Sequence, residues 1–320
     1  MTQPSAIRPK EGEQPGTPFE AFRAGARLAP MPFTLDAAVV DEYARLLGAE
    51  LAWYHAPPGE TGPLAPATAP ALFLLALLYR TFPPVQGLVL THAAFELLQP
   101  WAPGMSISGS GEITETSERR GRQYVSWRAE FSEDAGGRLL TRASNTFTLP
   151  RREHQATTPE MRRPGPEPPG GVPVTPLRLK EPTGAMLPGA RLELEQGIAI
   201  SQALIDWYGR LNGDHDVVHY DAPYAAALGY RAPIDHGLMH AAYASELLCQ
   251  AFGMRWLAGG RYSVKWTAPV YPDDVLFPIA EVAEADGAAA VDRLALEVRC
   301  ENAQGQAVMV GEASVPIAAG

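Results

Sequence analysis

The sequence is short of cysteine, of positive charge and of long apolar runs. Its two cysteines, Cys249 and Cys300, cannot build a disulfide framework or a cysteine-rich metal centre, and they fit a reducing cytoplasm. Lys and Arg number 26 against 36 Asp and Glu, for a formal net charge of −10. A general nucleic-acid binder needs a basic footprint, so that class is excluded. The most apolar stretch, residues 69–79, is shorter than the roughly 20 residues that cross a bilayer. The opening Met1-Thr2-Gln3-Pro4 is polar and lacks the apolar core of a secretory signal. No H-E-x-x-H or C-x-x-C spacing marks a metal centre. Gly109-Ser110-Gly111 lies in an expected strand with no helix behind it, which rejects a dinucleotide-binding loop. The expectation is a cytoplasmic protein with neither membrane nor nucleic acid as partner.

What the chain has in excess is proline in one place. Pro159, Pro164, Pro166, Pro168, Pro169, Pro173, Pro176, Pro182 and Pro188 fall within residues 151–190. Proline fixes φ and removes a donor, so this segment reads as a stiff, extended linker. It divides the 320 residues into a flexible N-terminus (1–17), an N-terminal domain (18–150), the linker (151–190) and a C-terminal domain (191–320). The two domains repeat one another. Asp41-Glu42-Tyr43-Ala44-Arg45-Leu46-Leu47-Gly48 aligns with Asp206-Trp207-Tyr208-Gly209-Arg210-Leu211-Asn212-Gly213 at an offset of 165 residues. Pro100-Trp101-Ala102-Pro103 echoes Pro269-Val270-Tyr271-Pro272 at an offset of 169.

Each half reads in the same order. A short strand comes first (33–35; 192–200), then an amphipathic helix (37–47; 202–211), a loop, a second helix (70–82; 237–252), and several strands. Val125, Trp127, Ala129 and Phe131 alternate with polar residues, as do Leu294, Leu296, Val298 and Cys300; this is the period of a half-buried strand. The second helix of each half is apolar nearly all round, which means it is engulfed. Runs of strands around one buried helix give an α+β fold, with an antiparallel sheet wrapped around a central helix in each half.

Four of the seven histidines, His215, His219, His236 and His240, fall in one stretch of the second half. Gly213-Asp214 with His219 five residues on can bring a carboxylate and an imidazole to one reacting centre. His236-Gly237 opens the apolar helix, whose free N–H groups and dipole stabilise an oxyanion.

Gly213, Asp214, His219, Gly229, Tyr230, Pro233, Ile234, His236, Gly237 and Leu238, at these spacings, resemble the MaoC-like (R)-specific enoyl-CoA hydratases. Residues 269–276 are similar to that family's strand entry. The resemblance implies two fused hotdog domains, the first degenerate and the second catalytic. It implies a hydratase or dehydratase that interconverts a trans-2-enoyl thioester and the (R)-3-hydroxyacyl thioester. Asp214 and His219 would activate the water and Gly237 would hold the thioester oxygen, with Asp216, Pro233, Ile234 and His236 lining the substrate. No metal or other cofactor is implied. Coenzyme A is the expected carrier, acyl carrier protein the alternative, and a homodimer stays open. Asp216 and Val217 stand where the family has Asn and Pro. At the offset of 165, Asp214 falls on Ala49 and His219 on Tyr54, so one active site per chain is expected. Two other readings compete. One is a non-catalytic acyl-thioester binding or assembly subunit; the other is a hotdog thioesterase using Glu246 in the second helix.

Overall fold

The computed structural model describes residues 17–134, 136–150, 164–168, 171–180, 187–214, 216–283 and 292–317. The flexible terminus read for residues 1–17 lies almost wholly outside them, as do His215 and much of the Pro-rich segment.

The first half runs β1 (Met31–Thr34), α1 (Ala37–Leu46), α2 (Leu51–His55), α3 (Ala71–Tyr79), β2 (Val89–Leu97), β3 (Ser106–Arg119), β4 (Arg122–Glu133) and β5 (Leu139–Thr148). The second half runs β6 (Arg191–Glu193), β7 (Ile198–Ala199), α4 (Gln202–Asn212), α5 (Ala222–Ala227), α6 (Gly237–Phe252), α7 (Met254–Leu257), β8 (Arg261–Trp266), β9 (Val275–Val282), β10 (Arg293–Asn302) and β11 (Ala307–Pro316). All eleven strands form one antiparallel sheet, ordered β1-β3-β4-β5-β2-β8-β11-β10-β9-β6, with β7 also on β9. Outward from the central β2–β8 pair, each half shows the same sequence of strands. The expected repeat is therefore a repeat of topology.

The seam is set by side chains on both faces. Phe95 opposes Tyr262, and their rings stack at 5.2 Å on the inner face. Glu96 opposes Arg261, and the two pair at 2.6 Å on the outer face. Cross-strand pairs of these kinds fix register, because a one-residue slip would turn each side chain to the wrong face. Along β4 the predicted alternation is present: Val125, Trp127, Ala129 and Phe131 are all buried.

Two helices lie against the inner face. In α3, Leu72, Phe73, Leu74, Leu77 and Leu78 are buried, and α6 buries thirteen of its sixteen residues. Their flanking helices are held by local caps. Asp36 accepts the Ala38 N–H at the start of α1, and Ser201 accepts the Leu204 N–H at the start of α4. No helix among the described residues is long and apolar enough to cross a membrane.

One expected element differs. The strand read across 192–200 is two short strands, β6 and β7. Gly197 sits between them against Val275 and Phe277, where a Cβ would meet carbon atoms at 2.5 and 2.6 Å, and the chain bends just before it, at residues 195–196. The described part of the Pro-rich segment is extended and tied down: the Leu177 N–H bonds Gly48 O, and Gln250 bridges Leu177 O and the Leu179 N–H.

Since Leu77 has no exposed surface, Leu77→Ala should destabilise the protein by about 2–5 kcal/mol through lost burial and a residual cavity. Chemical denaturation of the two proteins measures this, and a change below about 1 kcal/mol would mean that α3 is not an engulfed helix.

Candidate active site

Helix α4 ends in Gly213, whose φ of +71° is left-handed. Glycine takes that conformation without the Cβ penalty, so the chain turns sharply out of the helix. Asp214 follows at once. Its N–H is held by the Asn212 side chain at 2.8 Å, and its Oδ1 accepts the Asp216 N–H at 2.9 Å. A short 3₁₀ turn, Val217–His219, then lifts His219 back over Asp214.

Asp214 Oδ2 lies 3.6 Å from His219 Nε2 and 3.4 Å from His236 Nδ1. The two imidazoles lie against each other with ring centroids 3.8 Å apart and planes tilted by 31°. His219 Nδ1 is 2.9 Å from the Ile234 carbonyl. A carbonyl only accepts, so Nδ1 carries the proton and the neutral ring turns its basic Nε2 toward Asp214. His236 is steadied on its far side by the Tyr220 hydroxyl at 3.3 Å, which itself donates to the Asp214 carbonyl at 2.8 Å.

The electrostatics follow from burial and neighbours. Burial alone would raise the Asp214 carboxyl. The His236 hydrogen bond, the charges of His219 and His236, and the Asp216 N–H outweigh it and hold the group well below the usual carboxylate range. Burial and the neighbouring His236 push the His219 imidazole below its usual value, against the pull of Asp214 and Asp216. At neutral pH the pair is a carboxylate beside a neutral imidazole. Ligand atoms of Asp214, His219 and His236 all lie within 4.8 Å of one another, close enough to share one small ligand.

Asp216 is turned away from this pair. Its Oδ1 accepts the N–H groups of Gly87 and Val218, and its Oδ2 accepts that of Leu88. Gln86 Oε1 accepts the Val217 N–H at 2.9 Å. Gly87 and Leu88 precede β2, so Asp216 grips a loop of the other half. Burial and the nearby Asp214 charge push its carboxyl up to about 6, with His219 opposing.

These residues open on a cavity of about 400 Å³ between the halves. Leu74, Leu75, Leu78 and Tyr79 of α3 form one side, while Ile234, Gly237 and Leu238 bring the start of α6 to the other. No side chain caps α6; the Met239 N–H bonds the His236 carbonyl, and the Gly237 and Leu238 N–H groups ahead of it are the ones a ligand can take. Gly237 is packed under Trp266, where a Cβ would meet ring atoms at 2.9 Å. Of the residues read as substrate-lining, Asp216, Ile234 and His236 border the cavity and Pro233 does not. Pro233 leads the chain into Ile234, whose carbonyl orients His219. Asp216 borders the cavity while both its carboxylate oxygens accept backbone N–H groups. The outer face of the sheet has a wider depression of about 680 Å³, but its acidic and basic side chains largely pair with one another, as in Arg142–Glu96 and Arg142–Glu130.

The mirrored position in the first half is filled. Tyr54, the counterpart of His219, donates to Glu246 Oε2 at 2.6 Å and lies 3.4 Å from Cys249 Sγ. Glu246 is buried and does not border the cavity. Burial pushes its carboxyl up to about 7.

Sequence reasoning missed several cavity residues: Tyr79, Tyr208, Asn145 and Asp235, the buried partner of His240. Asn145 carried a readable signal, since it occupies an inward position of β5 between Ala143 and Phe147. Tyr79 and Gln86 carried none, because only folding brings the first half to the second.

Residues 184–301 match the family model of the MaoC-like domain. Compared with curated protein sequences, the chain has no match. Among solved structures it resembles a putative MaoC domain protein dehydratase from Chloroflexus aurantiacus, at 18% identity and a TM-score of 0.69 over 95% of this chain and 98% of that one. It also resembles a conserved hypothetical protein of Mycobacterium tuberculosis described as having a double hotdog fold, at 17% identity and a TM-score of 0.63 over 94% and 97%. A third likeness is to the peroxisomal multifunctional enzyme type 2 of Drosophila melanogaster, at 18% identity and a TM-score of 0.61 over 90% of this chain and 48% of that one. The shared fold is the double hotdog.

Two outcomes are expected here. Asp216→Ala strips acceptors from the Gly87, Leu88 and Val218 N–H groups; at ~1–3 kcal/mol for a buried donor left unpaired, its denaturation midpoint should fall clearly. An unchanged midpoint would mean that the inter-half grip is dispensable. Glu246 has its folded value raised from 4.5 to about 7, so its contribution is full at low pH and drains away as pH rises through that window. Glu246→Gln should flatten this fall in stability between pH 4.5 and about 7, read from thermal melts across pH.

Proposed function

We propose, from the premise that residues 184–301 are a MaoC-like domain, that this protein adds water to trans-2-enoyl thioesters to give (R)-3-hydroxyacyl thioesters, and reverses that reaction. The observation that carries the reading is convergence. A carboxylate, a neutral imidazole of fixed tautomer and an uncapped helix start all border one cavity.

In this reading a water sits between Asp214 Oδ2 and His219 Nε2. Its oxygen bonds to Cβ of the enoyl group while the Cα=Cβ π pair shifts toward Cα. The negative charge that builds on the thioester oxygen is held by the Gly237 N–H, reinforced by the dipole of α6. One donor of this kind is worth about 3–4 kcal/mol in a transition state. The proton lost by the water passes through the Asp214–His219 pair to Cα, so water adds across the double bond with no other reactant. His219 must be neutral to accept that proton, and its burial keeps it so.

Coenzyme A is the proposed carrier, with acyl carrier protein as the alternative, and the proposed chemistry uses no metal. The first half supplies the other wall of the acyl site in place of a second subunit. The thioesterase reading loses its support because Glu246 is bonded to Tyr54 away from the cavity. The two buried free cysteines accord with the proposed cytoplasmic setting.

The test is loss of the conjugated enoyl absorbance with a panel of 2-enoyl-CoA thioesters, after treatment with a chelator. Wild type should turn over at least one member, and Asp214→Asn and His219→Gln should each lose about 10²–10⁴-fold in kcat/KM while remaining folded. The acid limb of kcat/KM should lie below about pH 6.5, because the neutral form of His219 persists to lower pH than in a free imidazole. Thioester binding without turnover by folded wild type would instead support the non-catalytic subunit.

A further inference from the structure

Unmet hydrogen-bonding capacity gathers around the same cavity. Among the described residues, six buried side-chain atoms lack a hydrogen-bond partner: both amide atoms of Asn145, the hydroxyls of Tyr208, Tyr243 and Tyr262, and His240 Nδ1. Asn145, Tyr208 and His240 border the cavity. Buried polar groups are almost always paired, so a cluster of orphans along one cavity calls for a partner that enters it.

Asn145 is the clearest case. It lies on β5 opposite Ala93 of β2 and Trp127 of β4, and it is 3% exposed. Its strand neighbours on the same face, Ala143 and Phe147, belong to the core. Trp127 and Phe147 border the cavity beside it, with Leu74 and Leu78 across from them on α3. This wall belongs to the first half, whereas Asp214, His219 and Gly237 belong to the second. Neither amide atom has a partner, so flipping the amide does not satisfy it. A wall built for a plain alkyl chain has no use for an amide there. Leucine would fill the position and spare its desolvation.

If the site hydrates enoyl thioesters, the chemistry of this wall narrows the substrate. Resting on that reading, we propose that the acyl group taken by this site carries an uncharged hydroxyl beyond Cβ, which pairs with Asn145. A hydroxyl donates to Oδ1 and accepts from Nδ2, and so answers both orphan atoms at once. A carboxylate answers only the donor. Arg122, the one Arg or Lys among the described residues bordering the cavity, also borders the adjoining depression with Gly229 and Tyr230. Sites that pair a substrate hydroxyl reject the analogue lacking it, because the analogue leaves the site's own buried polar groups unpaired. An alkyl chain that enters leaves both amide atoms without a partner.

The experiment compares matched 2-enoyl-CoA thioesters of equal length, hydroxylated at successive carbons beyond Cβ or not at all, in wild type and in Asn145→Leu. At one position the hydroxylated member should exceed its deoxy partner by at least about tenfold in kcat/KM. In Asn145→Leu that ratio should fall to about one, and the ligand-free protein should melt at a higher temperature. A ratio near one at every position in wild type, or a preference that survives in Asn145→Leu, overturns the proposal. The wild-type comparison stands even if the variant fails to fold. If no thioester is turned over, the hydration reading fails separately, and calorimetric binding of the saturated hydroxylated and deoxy acyl-CoA pair to wild type decides this one. Tighter binding of the hydroxylated member by about tenfold supports it, and equal binding or none overturns it.

Discussion

Everything at the cavity depends on burying two carboxylates two residues apart. An unpaired carboxylate inside a protein is costly, and two close together are worse. Asp214 and Asp216 stay buried because donors come to them from every side. The His236 imidazole and one N–H serve Asp214; three N–H groups, two of them from the other half, serve Asp216. The left-handed turn at Gly213, the 3₁₀ turn at Val217–His219 and the loop at 86–88 are the backbone shapes that present those donors. The two acids then diverge, one held ionised far below its usual range and the other pushed up to about 6.

That divergence separates two tasks that the sequence places side by side. Asp214 faces the cavity and His219. Asp216 ties the second half to the first, so the wall formed by α3 is held against the wall that begins α6. The first half carries Ala49 and Tyr54 at the positions offset by 165 from Asp214 and His219, and there Tyr54 is bonded to Glu246. Its remaining surface, including Leu74, Leu78 and Asn145, encloses the cavity that the two halves share.

Much of the architecture was legible because it rests on local patterns. Alternation along residues 125–131, apolarity all round residues 71–79 and 237–252, and the repeat of Asp41–Gly48 at Asp206–Gly213 each reflect a physical period or a duplication. The Asp214, His219 and Gly237 cluster was legible too, since all three fall within one short stretch. What was not legible depends on contacts at distance. The strand read across 192–200 is interrupted at residues 195–197, where Val275 and Phe277 lie against Gly197, and Asp216, on the cavity wall, also holds the N–H groups of Gly87 and Leu88.

By itself, the sequence determined the fold class, the order of elements in each half and the half in which Asp214, His219 and Gly237 come together, because side-chain period, turn chemistry and short spacings are local properties of the chain. Only the tertiary structure decided which way each buried acid points, which imidazole nitrogen is basic, and that an amide from residue 145 borders a cavity built around residue 214. Those are matters of desolvation and hydrogen-bond geometry, and they depend on groups that come together only when the two halves close along one sheet.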